Sequence, residues 1–245
     1  MENPVYEDEV VESLDYDGMN VIQKKNGFKF GTDSVLLADF ATIRKGDRIV
    51  DLGTGSGILC FLMASRHPDT TYVGIEIQQD IADMASRSVS MNEMSDRISI
   101  DWMDMKNARD KYGCNSFDAA VCNPPYGKSG GTLLNQSETK QIARHETDCS
   151  IDDMLLTASG LVRSKGRLSV VFPALRAFEM MYSMHQHHFE PKRIQTVQTV
   201  SGKEPKLVLI EAIKDGGSML QWLPPLVLKD ENGNVTDEYK RIYRM

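Results

Sequence analysis

The stretch Ile49-Val-Asp-Leu-Gly53-Thr-Gly55-Ser-Gly57-Ile58 decides how this chain folds. The β-branched run from Arg48 to Leu52 predicts a buried strand, and the apolar pattern from Ile58 to Arg66 predicts a helix. The glycines between them let the backbone turn sharply and approach a ligand with no Cβ in the way. The stretch therefore predicts a strand, a tight turn and a helix.

The same alternation of strands and helices continues along the chain after the turn. Helices are predicted at 78–92, 151–162 and 174–186, and seven strands at 48–52, 71–75, 97–101, 117–122, 167–172, 193–199 and 206–213. This βαβα order predicts an α/β fold with a seven-stranded, mainly parallel sheet and helices on both faces. The last two strands follow each other without a helix, which predicts an antiparallel hairpin at one edge.

Composition narrows the class of protein. The chain has 245 residues, of which 41% are hydrophobic and 26% charged, and its net charge is −7. We expect one compact unit, with residues 1–45 as an N-terminal extension and 46–245 as the sheet domain. The negative charge argues against a broad phosphate-coating surface, because such binding depends on lysine and arginine.

Cysteine usage and hydropathy indicate the compartment. Four cysteines lack the close Cys/His spacing of a zinc site and are too few for a disulfide framework, so we predict no metal and reduced thiols. The acidic start has no apolar signal region, and no run reaches the roughly 18 apolar residues of a membrane span. We therefore expect a cytoplasmic protein that has no membrane partner.

Acidic residues follow three of the predicted strands. The spacing G-x-G-x-G, with Asp51 before it and no lysine after it, disfavours a phosphate ligand and favours a cofactor with a cationic amino-acid end. Glu76 can accept from ribose hydroxyl groups, and Asp104 from an adenine amino group. The alternative is a tight turn with surface carboxylates. The predicted cofactor contacts are Asp51, Gly53, Gly55, Gly57, Glu76, Ile77, Asp104, Met105 and Asn123.

A rigid tetrapeptide, Asn123-Pro124-Pro125-Tyr126, follows the fourth strand. Consecutive prolines fix φ and remove amide donors. The side-chain oxygen of Asn123 and the carbonyl of Pro124 can accept the N–H groups of a conjugated amine, and Tyr126 can stack on a planar substrate. The alternative is a proline-terminated strand with a capping asparagine.

Together these residues resemble the S-adenosylmethionine site of Rossmann-like class I methyltransferases. The tetrapeptide is similar to the N-methyltransferase signature of that superfamily, which serves adenine N6, guanine N2 and the amide of protein glutamine alike. The resemblance implies S-adenosyl-L-methionine as cofactor and direct methyl transfer without metal.

Two further segments resemble the bacterial methyltransferases that act on adenine N6 of valine tRNA. One is the stretch 27–40, with Thr32 and Asp33, and the other is Ala143-Arg-His-Glu146. The resemblance implies that the N-terminal extension closes over the cofactor site and that Thr32 and Asp33 help to bind the cofactor. Either could equally cap an amphipathic helix, and His145 could be a solvated loop histidine.

The resemblance implies a tRNA whose adenine 37, next to the anticodon, is flipped into the pocket beside Tyr126. Lys128, Arg144 and His145 are then expected to bind the substrate, with the protein acting as a monomer. Phosphate contacts are expected from local basic clusters that could equally be solvated faces: Lys24, Lys25 and Lys29; Arg163, Lys165 and Arg167; Lys192 and Arg193; Lys203 and Lys206.

Two other functions stay open at this point. A glutamine N5-methyltransferase acting on a peptide-release factor shares the tetrapeptide but normally carries an additional N-terminal helical domain. A cofactor-binding module without catalysis is the more remote alternative.

Overall fold

The computed structural model describes residues 5–14, 18–26, 31–124 and 150–244. In these ranges the strands are β1 (Glu9–Ser13), β2 (Asn20–Lys24), β3 (Arg48–Leu52), β4 (Thr71–Glu76), β5 (Ile98–Trp102), β6 (Phe117–Cys122), β7 (Val162–Pro173), β8 (Phe189–Val200), β9 (Leu207–Lys214), β10 (Gln221–Trp222) and β11 (Leu226–Lys229). The helices are α1 (Thr32–Phe40), α2 (Ile58–Arg66), α3 (Gln79–Met91), α4 (Ala108–Tyr112), α5 (Ile151–Leu161), α6 (Ala177–Gln186) and α7 (Asp237–Tyr243).

A mixed sheet forms the centre of the molecule. Strands β7, β6, β3, β4 and β5 lie side by side in this order and run parallel. Strand β9 pairs antiparallel with both β7 and β8, as the predicted hairpin requires. The short strands β10 and β11 add to the outer side of β8 and were not predicted. The α/β class and the seven-stranded core are confirmed.

Helices cover both faces of the sheet because side chains alternate along each strand. On β3, Ile49 belongs to an apolar cluster that includes residues of α1, α2, α3 and α7, whereas Val50 belongs to a second cluster with residues of α4, α5 and α6. Both residues are fully buried. The two apolar clusters hold the sheet from both sides and so fix where its strands end.

Helix α1 differs from its prediction in two respects. Its N-cap is Gly31, which lacks a side chain, so neither Thr32 nor Asp33 caps it. Five consecutive residues, 34–38, are buried, so the helix is not amphipathic. It is enclosed between α2, β7, β9 and α7, and burial on all sides replaces the one-sided pattern.

The hairpin β1–β2 packs on α3. The Ile22 amide donates to Ser88 Oγ at 2.9 Å. The Glu9 carboxylate is buried and accepts from Arg87 Nη2 and Nη1 at 2.7 and 2.8 Å. Burial alone would raise the pKa of Glu9, but the hydrogen bonds from Arg87 and from the Tyr6 amide lower it to about 2. Whether the extension closes over the cofactor stays a prediction.

We predict that Glu9→Gln loosens this hairpin. Breaking a buried ion pair costs about 3 kcal/mol, so amide hydrogen exchange in β1 and β2 should be roughly 100-fold faster at pH 7. Because the folded pKa lies below the unfolded value, the wild-type stabilisation is present above about pH 4.5 and is lost as the pH falls towards 2. The exposed neighbour variant Glu7→Gln serves as control, and equal exchange in both variants would contradict the assignment.

Candidate active site

The described site residues that the sequence predicted lie at the carboxyl ends of the parallel strands, which form one edge of the sheet. Parallel strands β3, β4, β5 and β6 all end there, at Leu52, Glu76, Trp102 and Cys122. Ligands of open α/β sheets bind at the carboxyl ends of the strands, where the connecting segments part. The fold therefore brings Asp51, Glu76 and Asn123 to the same edge.

The glycine loop has the geometry that its sequence predicts. Gly53, Gly55 and Gly57 have φ of +76°, +56° and +81°, a region that side chains disfavour. A Cβ added at Gly53 or Gly55 would meet no described atom within 4 Å, so this side of the loop is open. The loop can admit a ligand against its backbone.

Hydrogen bonds fix the loop to β4. The amides of Gly53 and Thr54 donate to the Ile75 carbonyl oxygen at 3.0 and 2.9 Å. The Gly55 amide donates to Glu76 Oε2 at 3.0 Å. The loop is thus tied to the end of the neighbouring strand.

Glu76 also accepts from the Gln78 amide, at 2.9 Å to Oε1. The Gln78 side chain also donates to Oε1, from Nε2 at 3.3 Å. A carboxylate has about four lone-pair positions, so these three bonds leave capacity for one further hydroxyl donor. The predicted ribose contact is compatible with this geometry and stays a prediction.

Asp51 carries an unusual charge environment. Its side chain is buried, Oδ2 accepts from Thr54 Oγ1 at 2.6 Å, and Oδ1 has no hydrogen-bond partner among the described residues. Burial raises the pKa of Asp51 to about 7; the Thr54 hydrogen bond opposes this rise and the charge of Glu76 adds to it. A cationic ligand group would satisfy Oδ1 and favour the ionised form.

Trp102 borders the same edge and was not predicted as a site residue. Its Nε1 donates to the Ile77 carbonyl oxygen at 3.1 Å, and 59% of the residue is exposed. Ile77 is itself 46% exposed. The sequence signal that could have revealed Trp102 is an aromatic residue at the end of the strand that follows Glu76 in the predicted sheet.

Asp104 caps a short 3₁₀ helix, Met105–Asn107, by accepting from the Lys106 amide at 2.9 Å. Met105 packs against the apolar cluster on the face of α4 and α5. Both residues lie just beyond β5, and their contacts with an adenine stay predictions.

Asn123 follows β6 directly. Its Nδ2 donates to Ser34 Oγ, at 3.2 Å, and Ser34 is buried in α1. Sequence reasoning missed this serine, although it comes directly after Thr32 and Asp33. The contact joins two of the predicted motifs and sets the orientation of the amide.

Several predicted residues lie outside the described residues. They are Pro125 and Tyr126 of the tetrapeptide and the substrate candidates Lys128, Arg144 and His145. Pro124 is described, and it continues the chain from Asn123 at the sheet edge.

The described residues fit S-adenosylmethionine. Its cationic amino-acid end matches the unpartnered Oδ1 of Asp51, and its ribose hydroxyl groups match Glu76. The open glycine loop lies between these two carboxylates. When bound, the cofactor would supply an electrophilic methyl group.

A model of the methyltransferase small domain family matches residues 21–190. The chain belongs to this family. The protein is an S-adenosylmethionine-dependent methyltransferase, as the sequence predicted. Among the described residues no three His, Cys, Asp or Glu side chains form a metal-binding group, and no helix there is long and apolar enough to cross a membrane.

Curated relatives confirm the more specific resemblance. A Porphyromonas gingivalis protein named tRNA1(Val) (adenine(37)-N6)-methyltransferase is 31% identical over 223 residues, 87% of this chain and 86% of the relative. A protein of the same name from Bacteroides thetaiotaomicron is 28% identical over 222 residues, 90% of each chain.

A solved structure supports the fold. It is that of a predicted O-methyltransferase from Agrobacterium tumefaciens, which is similar with a TM-score of 0.72. The similarity covers 87% of this chain and 96% of that chain, and 23% of the residues are identical. This likeness confirms the class I methyltransferase fold.

We predict that cofactor affinity depends on pH through Asp51. Below pH 7, binding of the cationic cofactor requires the raised-pKa carboxyl group to lose a proton, so affinity should rise about tenfold per unit between pH 5 and 7 and then level off. Calorimetric titration of S-adenosylmethionine at several pH values measures this. Asp51→Asn should abolish the slope, while the distant, exposed Asp96→Asn should keep it; a slope that persists in Asp51→Asn would refute the assignment.

The same pKa sets a pH dependence of folding. Because the folded pKa of Asp51 is raised, its contribution to stability is largest below about pH 3.8 and is lost as the pH rises through 7. Cofactor-free protein should therefore gain stability from Asp51→Asn at pH 8, measured by denaturant unfolding.

We predict separate effects for Asn123 and Ser34. Asn123→Ala should lower kcat about 100-fold, because a preorganised polar group at the reacting nitrogen is lost. Ser34→Ala should lower kcat about 3- to 10-fold, since it removes one orienting hydrogen bond. Cofactor affinity should be unchanged in Ser34→Ala and should fall much less than kcat in Asn123→Ala, since Asn123 is one of several predicted cofactor contacts. Full turnover in Asn123→Ala would contradict its role as acceptor.

Proposed function

We propose that this methyltransferase transfers a methyl group to N6 of adenine 37 in tRNA, with valine tRNA as substrate. The observation that carries the proposal is the position of Asn123 and Pro124, which follow β6 at the same sheet edge as the glycine loop, with the Asn123 amide oriented by Ser34. The names of the relatives from Porphyromonas gingivalis and Bacteroides thetaiotaomicron support it.

The methyl transfer requires the protein mainly to position the two reactants. The N6 amine of adenine is conjugated with the ring, so its lone pair is a weak nucleophile. The side-chain oxygen of Asn123 and the carbonyl oxygen of Pro124 accept its two N–H groups and stabilise the positive charge that develops as nitrogen bonds to the methyl carbon. The bound cofactor would supply the methyl group and keep the electron pair of the broken carbon–sulfur bond on sulfur, and the nitrogen would lose one proton to solvent.

The substrate base must leave its stack to reach this edge. A methyltransferase acting inside a helical stack flips the target base into its pocket, and a base in the anticodon loop costs least to flip. Tyr126 is proposed to stack on the flipped adenine, with Lys128, Arg144 and His145 on the RNA. Because its substrate is tRNA, we place the protein in the cytoplasm.

One experiment distinguishes the proposed function from the two alternative functions. A glutamine N5-methyltransferase would use the same acceptors on a side-chain amide, and a non-catalytic module would bind cofactor without turnover. Purified protein is incubated with methyl-labelled S-adenosylmethionine and, in separate reactions, with total tRNA from a strain lacking the enzyme and with release factor. Asn123→Ala is the matched control.

The proposal predicts label in tRNA only, as one N6-methyladenosine per molecule at position 37 of valine tRNA. Nucleoside mass spectrometry and mapping of the digested tRNA measure it. Label in release factor would establish the first alternative, and saturable cofactor binding without any labelled product would establish the second.

A further inference from the structure

Most of the basic clusters considered as phosphate contacts are engaged inside the protein. Lys24 forms an ion pair with Asp8, at 2.8 Å between Nζ and Oδ2. Arg163 pairs with Asp118, at 2.6 Å between Nε and Oδ1. Three further lysines, Lys25, Lys165 and Lys192, donate to backbone carbonyl groups. Two arginines form ion pairs: Arg167 with Asp47, where both are buried, and Arg193 with Glu211.

Lys203 and Lys206 are different. Both are exposed in the turn between β8 and β9, and neither side chain forms an ion pair with a described residue. Because Leu207 pairs with Pro173 at the carboxyl end of β7, this turn lies at the same sheet edge as Asn123. Glu204 lies between the two lysines, so the turn carries a net charge of +1.

Exposed aromatic side chains follow β7 at this edge. Phe178 and Tyr182 are 77% and 58% exposed and stack on each other, with ring centroids 6.2 Å apart. They project from α6, whose opposite side is buried through Met180 and Met184. Their outer faces are open for a further stacking partner.

The turn and the aromatic pair are joined through the backbone. The amide of Ala174 donates to the Lys206 carbonyl oxygen at 3.0 Å, and the next residue, Leu175, is 87% exposed. We call the surface formed by Leu175, Phe178, Tyr182, Lys203 and Lys206 the outer platform. The nearby Arg176 is neutralised by Glu179, at 2.8 and 2.7 Å.

The outer platform lies on the substrate half of the sheet. The cofactor residues follow β3, β4 and β5, whereas Asn123 follows β6 and the platform begins beyond the adjacent strand β7. Adjacent strands are about 4.8 Å apart, so the strand that leads into the platform lies directly beside the strand that ends at Asn123. Exposed aromatic faces beside lysines are the combination that single-stranded nucleic acid binds.

We infer that the outer platform binds the unpaired nucleotides that flank the target adenine, with their bases stacked on Phe178 and Tyr182 and their phosphates next to Lys203 and Lys206. This inference rests on the proposed function, and it adds a specificity surface that recognises a single-stranded loop. A second copy of this chain is the competing occupant. The lysines argue against it, because charged residues are depleted in the cores of such interfaces.

The test uses the full chain, S-adenosylmethionine and valine tRNA transcript. In Phe178→Ala/Tyr182→Ala we expect KM for tRNA to rise about tenfold or more, with kcat within about twofold and cofactor affinity unchanged, because stacking is worth about 1–3 kcal/mol per base. Trp222→Ala, an equally exposed aromatic on the outer strand β10, is the control and should keep the wild-type KM.

The lysines are tested by salt dependence. Lys203→Gln/Lys206→Gln should reduce the slope of log affinity for tRNA against log salt by about 1.4, since each single-strand phosphate contact contributes about 0.7. Lys45→Gln, an exposed lysine before β3 at the opposite edge, should keep the slope.

Failure of the inference is distinct from failure of the proposed function. If wild-type protein methylates tRNA while both double variants match their controls, the outer platform does not bind RNA. Dissociation of a dimer by Phe178→Ala/Tyr182→Ala in sedimentation, with KM unchanged, would assign the surface to a second copy and overturn the inference. If wild-type protein labels no tRNA, the proposed function itself fails.

Thermal melting of each variant confirms folding, since exposed substitutions change stability by only about 0.5 kcal/mol.

Discussion

The site depends on the hydrogen bonds that tie the glycine loop to strand β4. The amides of Gly53 and Thr54 reach the Ile75 carbonyl, and the amide of Gly55 reaches Glu76. These bonds are possible because β3 and β4 are parallel and end together. They hold Glu76 next to the loop, and Asp51 lies buried in the adjoining strand with one oxygen that no described residue hydrogen-bonds. A cofactor with a cation at one end and hydroxyl groups at the other completes this arrangement.

The order of strands divides the edge into two halves. The predicted cofactor residues follow or end β3, β4 and β5, and the segments after β7 and β8 form the other half. Asn123 stands at the boundary because β6 lies between them. In the proposed function each half has one partner, and the reacting nitrogen would meet the methyl group where the halves join. The net charge of −7 is compatible with this division, since three acidic residues are predicted cofactor contacts and few lysines need to face RNA.

Local patterns were enough to predict the strands and the loop, because strand β6 and helix α2 have the predicted bounds and the three glycines have positive φ. Features that depend on contacts between distant segments were not predictable. Ser34 meets Asn123 across 89 positions, and Arg167 is buried with Asp47 across 120, which removes it from any RNA surface. The alternative that Thr32 or Asp33 caps α1 was also wrong, since Gly31 is the N-cap of a helix that packs against α2, β7, β9 and α7.

The most direct test of the central claim is an experimental structure of the protein with S-adenosylhomocysteine. The account predicts the amino group of this product within about 3 Å of Asp51 Oδ1, its ribose hydroxyl groups on Glu76, and its sulfur atom directed towards Asn123. A ligand whose ribose lies away from Glu76, or whose sulfur atom is directed away from Asn123, would contradict the account.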